Sequence, residues 1–216
     1  MLSSSAPTAR GHAMNLLVDT DAFCKLGVAR LLDDAAGVFG ARLSDTGRLP
    51  ALPYMLRKGG LVKRYGRRTC GALIAHAEAM PVHPQPGSAA LDPLTFNEGI
   101  DPGEAQLFAA AAEFDFMIIT GDKRAIRALK PVKETHAPLA GRIVTLEAIL
   151  LKLCEQLGLK DLRHRVGPLT AHDKTVGVCF SPGSSDPRVG LRSYHESLAT
   201  EVDPLLLWSP AEKDCP

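Results

Sequence analysis

The chain has 216 residues, 45% hydrophobic and 23% charged, which gives enough apolar material for one packed domain and too much for wholesale disorder. Its formal net charge is only +1, so bulk charge names no nucleic-acid or membrane partner, and no apolar run has the length of a membrane span or the form of a secretory signal. The five cysteines, Cys24, Cys70, Cys154, Cys179 and Cys215, are dispersed without a C-x-x-C pair, which excludes a disulfide framework and points to reduced thiols in a cytoplasmic protein.

Residues 1–13 read as a flexible lead-in. Asn15-Leu-Leu-Val18 is a short apolar run ending at Asp19, as in a buried strand. Phe23, Leu26, Leu31 and Ala35 then recur at helical spacing, with Gly27 weakening that helix. Residues 40–66, rich in Gly, Pro and basic side chains, predict irregular structure. A helix is expected over Thr69–Ala79, a short strand at Met80–His83, and a loop over the Pro/Gly stretch 84–93.

Asp101-Pro102-Gly103-Glu104 opens the clearest helix, with Asp as cap and Pro in the first turn before AQLFAAAAEF. Phe116-Met-Ile-Ile-Thr120 reads as a strand buried on both faces. Asp122–Leu129 is helical, Arg142–Leu146 a further strand and Glu147–Leu157 a further helix. Strands alternating with helices imply a parallel sheet with right-handed crossovers. From Gly167 the composition shifts to Gly, Pro and Ser, with one strand expected at Thr175–Phe180 and an amphipathic stretch near Leu191–Leu207. The expected division is therefore a domain over 14–160 and an irregular C-terminal appendage over 161–216.

Asp19 and Asp122 both sit at the carboxyl ends of expected parallel strands, the edge where open α/β sheets place their sites. Glu104 lies in the first turn of the helix that leads into the second of those strands, so it starts from the same edge. Three converging carboxylates suit a hard cation, Mg²⁺ or Mn²⁺, which lowers the pKa of a bound water and stabilises charge on a phosphodiester.

LLVDTDAF, DPGEAQLFAAAAE and MIITGDKRAIRAL together resemble the PIN-domain nuclease pattern. That pattern carries a first-strand Asp, an acid opening a later helix, and T-x-D after the following strand. Asp19, Glu104 and Asp122 match these places in order, and Thr120 supplies the threonine. The resemblance implies a three-layer α/β/α fold with a central, mostly parallel sheet, and divalent-metal cleavage of phosphodiesters, most often in single-stranded RNA. It also implies a further acid on a helix between the first Asp and the later pair, for which Glu78 is the candidate and Glu98 the fallback. Lys123 and Arg124 stand where compact members often have an acidic or polar position after T-x-D.

Each acid has a plainer reading. Asp101 and Glu104 form D-x-x-E, a helix capping box; Asp122 could simply cap its own helix, and Asp19 could be an ordinary turn residue. Asp19-Thr-Asp21 with Gly121-Asp122 also fits a haloacid-dehalogenase phosphatase, although that reading leaves Glu104 idle. A PIN-like domain that binds RNA or protein without cutting is a third reading. Between Asp45 and Glu78 there is no acid, while Arg57, Lys58, Lys63, Arg64, Arg67 and Arg68 are basic and Tyr54 and Tyr65 are interleaved. Such a surface holds phosphates and stacks bases. Arg64, Arg67 and Arg68, with Thr120 and Lys123, are the candidate substrate-binding residues. A homodimer or a protein partner is compatible with the sequence; a membrane partner is not expected.

Overall fold

The computed structural model describes residues 14–210. The expected lead-in at 1–13 and Cys215 lie outside the described residues. A four-stranded parallel sheet runs in the order β2-β1-β3-β4, where β1 is Leu16–Val18, β2 Thr46–Gly47, β3 Met117–Thr120 and β4 Ile143–Thr145. Register pairs Leu17 with Ile118, and Ile119 with Val144. Alternate residues of a strand face opposite sides, so Leu16, Val18, Ile119 and Val144 enter one apolar core and Leu17, Ile118 and Ile143 the other.

In chain order the helices are α1 (Thr20–Val28), α2 (Leu32–Val38), α3 (Leu52–Arg57), α4 (Gly60–Tyr65), α5 (Arg67–Ala79), α6 (Ser88–Thr95), α7 (Pro102–Glu113), α8 (Lys123–Leu129), α9 (His136–Leu139), α10 (Leu146–Leu157), α11 (Leu159–Val166), α12 (Lys174–Cys179) and α13 (Pro187–Val202). Phe23 and Leu26 of α1, Leu73 of α5 and Ile149 and Leu153 of α10 fill the first core. Leu107 and Phe108 of α7, Ile126 and Leu129 of α8 and Leu139 of α9 fill the second. Helices thus close both faces of the sheet, as the alternation of strands and helices predicts. No helix among the described residues is long and apolar enough to cross a membrane.

Several local expectations are corrected. The helix read through Ala35 is two helices, α1 and α2, separated where Arg30 takes φ 55°. Gly27 has a packing reason: a Cβ there would stand 2.5 Å from a Leu73 methyl, so glycine lets α1 and α5 approach. The basic stretch contains the two-residue β2 and helices α3 and α4 rather than irregular chain. Met80–His83 makes one parallel bridge, Val82 to Arg48, rather than a strand. Residues 88–93 of the expected loop belong to α6 despite Pro93, because Leu94 is fully buried in the second core and tertiary packing overrides propensity.

The strand expected at Thr175–Phe180 is the helix α12: the Asp173 carboxylate caps it by accepting the Val176 N–H at 2.9 Å. The irregular appendage expected beyond residue 160 is largely helical and shares both cores. Leu162, Val166, Val176 and Leu191 lie in the first core, and Leu198, Val202 and Leu205 in the second. Helix α13 therefore crosses from one face of the sheet to the other. The chain after it closes on β4, where Leu207 bridges Ile143 and the Trp208 N–H donates to the Ile143 carbonyl at 2.9 Å.

Candidate active site

The strand order reverses at β1, with β2 on one side and β3, reached later in the chain, on the other. The crevice beyond the carboxyl ends of β1 and β3 is the topological switch point of the sheet. Asp19 and the Thr120-Gly121-Asp122 turn meet there. Asp19, only 5% exposed, caps α1: its Oδ1 accepts the Ala22 N–H at 2.6 Å, and its Oδ2 accepts the Thr120 hydroxyl and the Gly121 N–H, the latter at 3.3 Å. Thr120 Oγ1 in turn accepts the Asp122 N–H at 3.1 Å. One hydroxyl thus ties the two aspartates together, which gives the threonine of T-x-D a physical task.

Asp122 caps α8 through the N–H groups of Arg124 and Ala125, at 2.8 and 3.0 Å. Glu104 completes a capping box on α7: its N–H donates to Asp101 at 2.9 Å, and its carboxylate accepts the Asp101 N–H at 2.7 Å. The plainer cap readings of these acids are therefore correct as far as they go. They do not exhaust the geometry, because Glu104 and Asp122 converge on one guanidinium, and the Asp122 carboxyl helps to keep the proton on Glu104. Arg124 Nη2 lies 3.8 Å from Glu104 and 3.7 Å from Asp122, with its side chain mostly exposed.

Two carboxyl groups that converge on one site do not readily ionise together without a proton or a cation between them. Burial, reinforced by the Asp122 carboxylate, raises Glu104 to about 8, against the pull of the Asp101 N–H. Burial and the nearby Asp21 charge raise Asp19 to about 6. At Asp122 burial also pushes upward, but the Ala125 N–H, the Glu104 proton, the Arg124 N–H and the Arg124 charge outweigh it and hold that carboxyl below its usual value. Among the described residues no three His, Cys, Asp or Glu side chains form a ready-made metal cluster. The convergence of Glu104 and Asp122 is nevertheless the arrangement that a divalent cation would relieve, so these residues fit an ion by their chemistry.

The metal-free protein should therefore lose stability as pH rises. The folded chain keeps protons on Glu104 between its ordinary 4.5 and about 8, and on Asp19 between 3.8 and about 6, after the unfolded chain has released them. Stability falls with pH wherever the native state holds more protons, and the buried His195, lowered below its ordinary 6.5, opposes this at the acid end of the range. Thermal melts in chelator at about pH 5.5 and about pH 8.5 should show a Tm lower by several degrees at the higher value. An unchanged or higher Tm there would mean that the two carboxyls do not share a proton.

The other candidates are placed differently. Glu78, on α5, is half-exposed and pairs with Arg57, and no described ion pair or hydrogen bond joins it to the three acids. Glu98 lies between α6 and α7 and lines a separate cleft with Leu91, Phe96 and Gln106. Lys123 turns toward the C-terminal helices, 2.6 Å from the buried Glu147 and 3.1 Å from the Thr175 hydroxyl, with Tyr194 below its ammonium. Arg64 is held by Asp21 at 3.2 Å and the His172 carbonyl at 2.8 Å. Arg67 and Arg68 are exposed at the start of α5. Tyr54 is exposed, with Lys58 over its ring, but Tyr65 is buried against His172, so it cannot stack on a base from outside.

A charged group unforeseen in the sequence adjoins the acids. Lys25 is buried and bridges Asp21 at 2.5 Å and Asp173 at 2.7 Å. Burial works against its charge, but the two carboxylates outweigh it and raise the ammonium above its ordinary value. The Asp21–Lys25 pair at i,i+4 was visible as a helix spacing; Asp173 comes from a distant element and carried no local signal. Comparison with protein-family models, curated proteins and solved structures found no match.

Proposed function

We propose that the chain is a divalent-metal-dependent nuclease of the PIN-like kind, hydrolysing phosphodiester bonds in single-stranded RNA. The observation that carries this reading is the convergence of Glu104 and Asp122 on Arg124 at the switch point of a parallel sheet, with buried Asp19 tied to Asp122 through Thr120. Asp122 and Glu104 are the residues that would hold Mg²⁺ or Mn²⁺, with Asp19 beside them. Bound there, such an ion supplies positive charge to a phosphoryl oxygen and lowers the pKa of water. The chain itself fixes the acids by helix caps, and Arg124 adds one cation above them.

The phosphatase reading needs Asp19 as a free nucleophile. Its burial and the hydrogen bonds on both of its oxygens suit a fixed anion better. Cleavage of a mixed single-stranded RNA pool with and without Mn²⁺ tests the proposal directly. Cutting that requires the metal supports it; hydrolysis of small phosphomonoesters with phosphate carried on Asp19 would replace it by the rival.

The exposed Arg67 and Arg68 are the cations best placed for phosphate contacts, since Arg64 is engaged within the protein. The double change of Arg67 and Arg68 to Ala should weaken RNA binding. It should also flatten the log–log dependence of affinity on salt by about 1.4, at about 0.7 per contact on single strands. Fluorescence anisotropy across a salt series measures this; an unchanged slope would make the start of α5 an ordinary solvated surface.

A further inference from the structure

Asp21 stands two residues after Asp19 and would be the natural ligand for a second ion. Its charge is already compensated by cations on both oxygens. Lys25 Nζ lies 2.5 Å from Oδ2, and Arg64 Nη1 lies 3.2 Å from Oδ1. The buried Lys25 also holds Asp173 at 2.7 Å, so this cluster contains two cations and two anions. Gly121 separates it from the other acids. The Gly121 N–H points to Asp19 Oδ2 at 3.3 Å, while a Cβ there would stand 2.5 Å from Asp21 Oδ2 and 3.3 Å from Lys25 Nζ. On the far side of that glycine, Glu104 and Asp122 face the Arg124 guanidinium at 3.8 and 3.7 Å, and Asp19 accepts only from the uncharged Ala22 N–H, Thr120 hydroxyl and Gly121 N–H.

We propose that the protein holds one divalent ion, on the Asp19–Glu104–Asp122 side of Gly121, and that the Lys25 ammonium, fixed between Asp21 and Asp173, takes the charge-balancing place of a second. The proposal rests on the metal-dependent reading above. Its physical basis is that a cation goes where negative charge is uncompensated. Expelling Lys25 to admit an ion at Asp21 would strand a buried ammonium without its partners. Asp173 thereby gains a role for the C-terminal helices: it is the second carboxylate that keeps Lys25 in place.

Titration of the full chain with MnCl₂, followed by calorimetry and by the free-Mn²⁺ electron paramagnetic resonance signal, gives stoichiometry and affinity without any substrate. One ion per chain is expected. Asp21→Asn should change its affinity by less than about threefold, because the asparagine carbonyl still accepts from Lys25 and no ligand is lost. Asp122→Asn should remove binding. Two ions on the wild-type chain would overturn the inference and leave the nuclease reading standing. So would a tenfold or greater loss of affinity in a folded Asp21→Asn. Absence of any Mn²⁺ binding would overturn the nuclease reading and this inference together.

Discussion

Asp122→Asn is expected to abolish RNA cleavage while leaving stability nearly unchanged. Asparagine caps a helix about as well as aspartate, so the bonds from the Arg124 and Ala125 N–H groups survive. What disappears is the negative charge that meets Glu104. Even outer-shell changes around metals lower affinity or activity by about 10–100-fold, so loss of a ligand should lower activity at least about a hundredfold. Asp19→Asn should be as inactive but less stable. Asp19 accepts from three groups, and an asparagine offers one acceptor oxygen while turning an NH₂ toward other donors. That mismatch costs about 1–3 kcal/mol. Single-turnover cleavage beside urea melts separates the two effects. Wild-type cutting by a folded Asp122→Asn protein at several Mn²⁺ concentrations would refute the assigned site.

Lys25→Met should be the most damaging single change outside the acids. It leaves Asp21 with Arg64 and removes the direct cation partner of Asp173, which holds that carboxyl below its ordinary value against the effect of burial. Removing one partner of a buried ion pair costs about 3–5 kcal/mol. Adding Asp173→Asn to Lys25→Met removes the stranded charge and should recover a large part of that loss. Urea unfolding of the single and double variants measures the difference. A Lys25→Met protein as stable as the wild type would mean that the carboxylates are balanced by other groups.

The legible parts of the sequence are those whose signals are local. Asp101 and Glu104 announce the start of α7 because a capping box closes within one turn, and Ile118 and Ile119 announce a strand because both faces of the sheet are covered. Asp19 and Asp122 could be placed at one edge from the direction of parallel strands alone. The illegible parts depend on distant partners. Strand β2 has two residues and exists through its pairing with β1. Helix α12 reads as a strand by its β-branched residues until Asp173 is seen to cap it. The same Asp173 reaches Lys25, a contact that no spacing rule brings together.

The closing of β4 by Leu207 and Trp208 has a bearing on synthesis. A ribosome delivers β1 to β4 and their covering helices well before the segment that bridges Ile143 and before α13, which spans both cores. Until those last residues emerge, a nascent chain carries an apolar parallel sheet with an open edge, the feature most prone to pairing with a neighbouring chain. All three acids are thus synthesised before the edge of the sheet at β4 is covered.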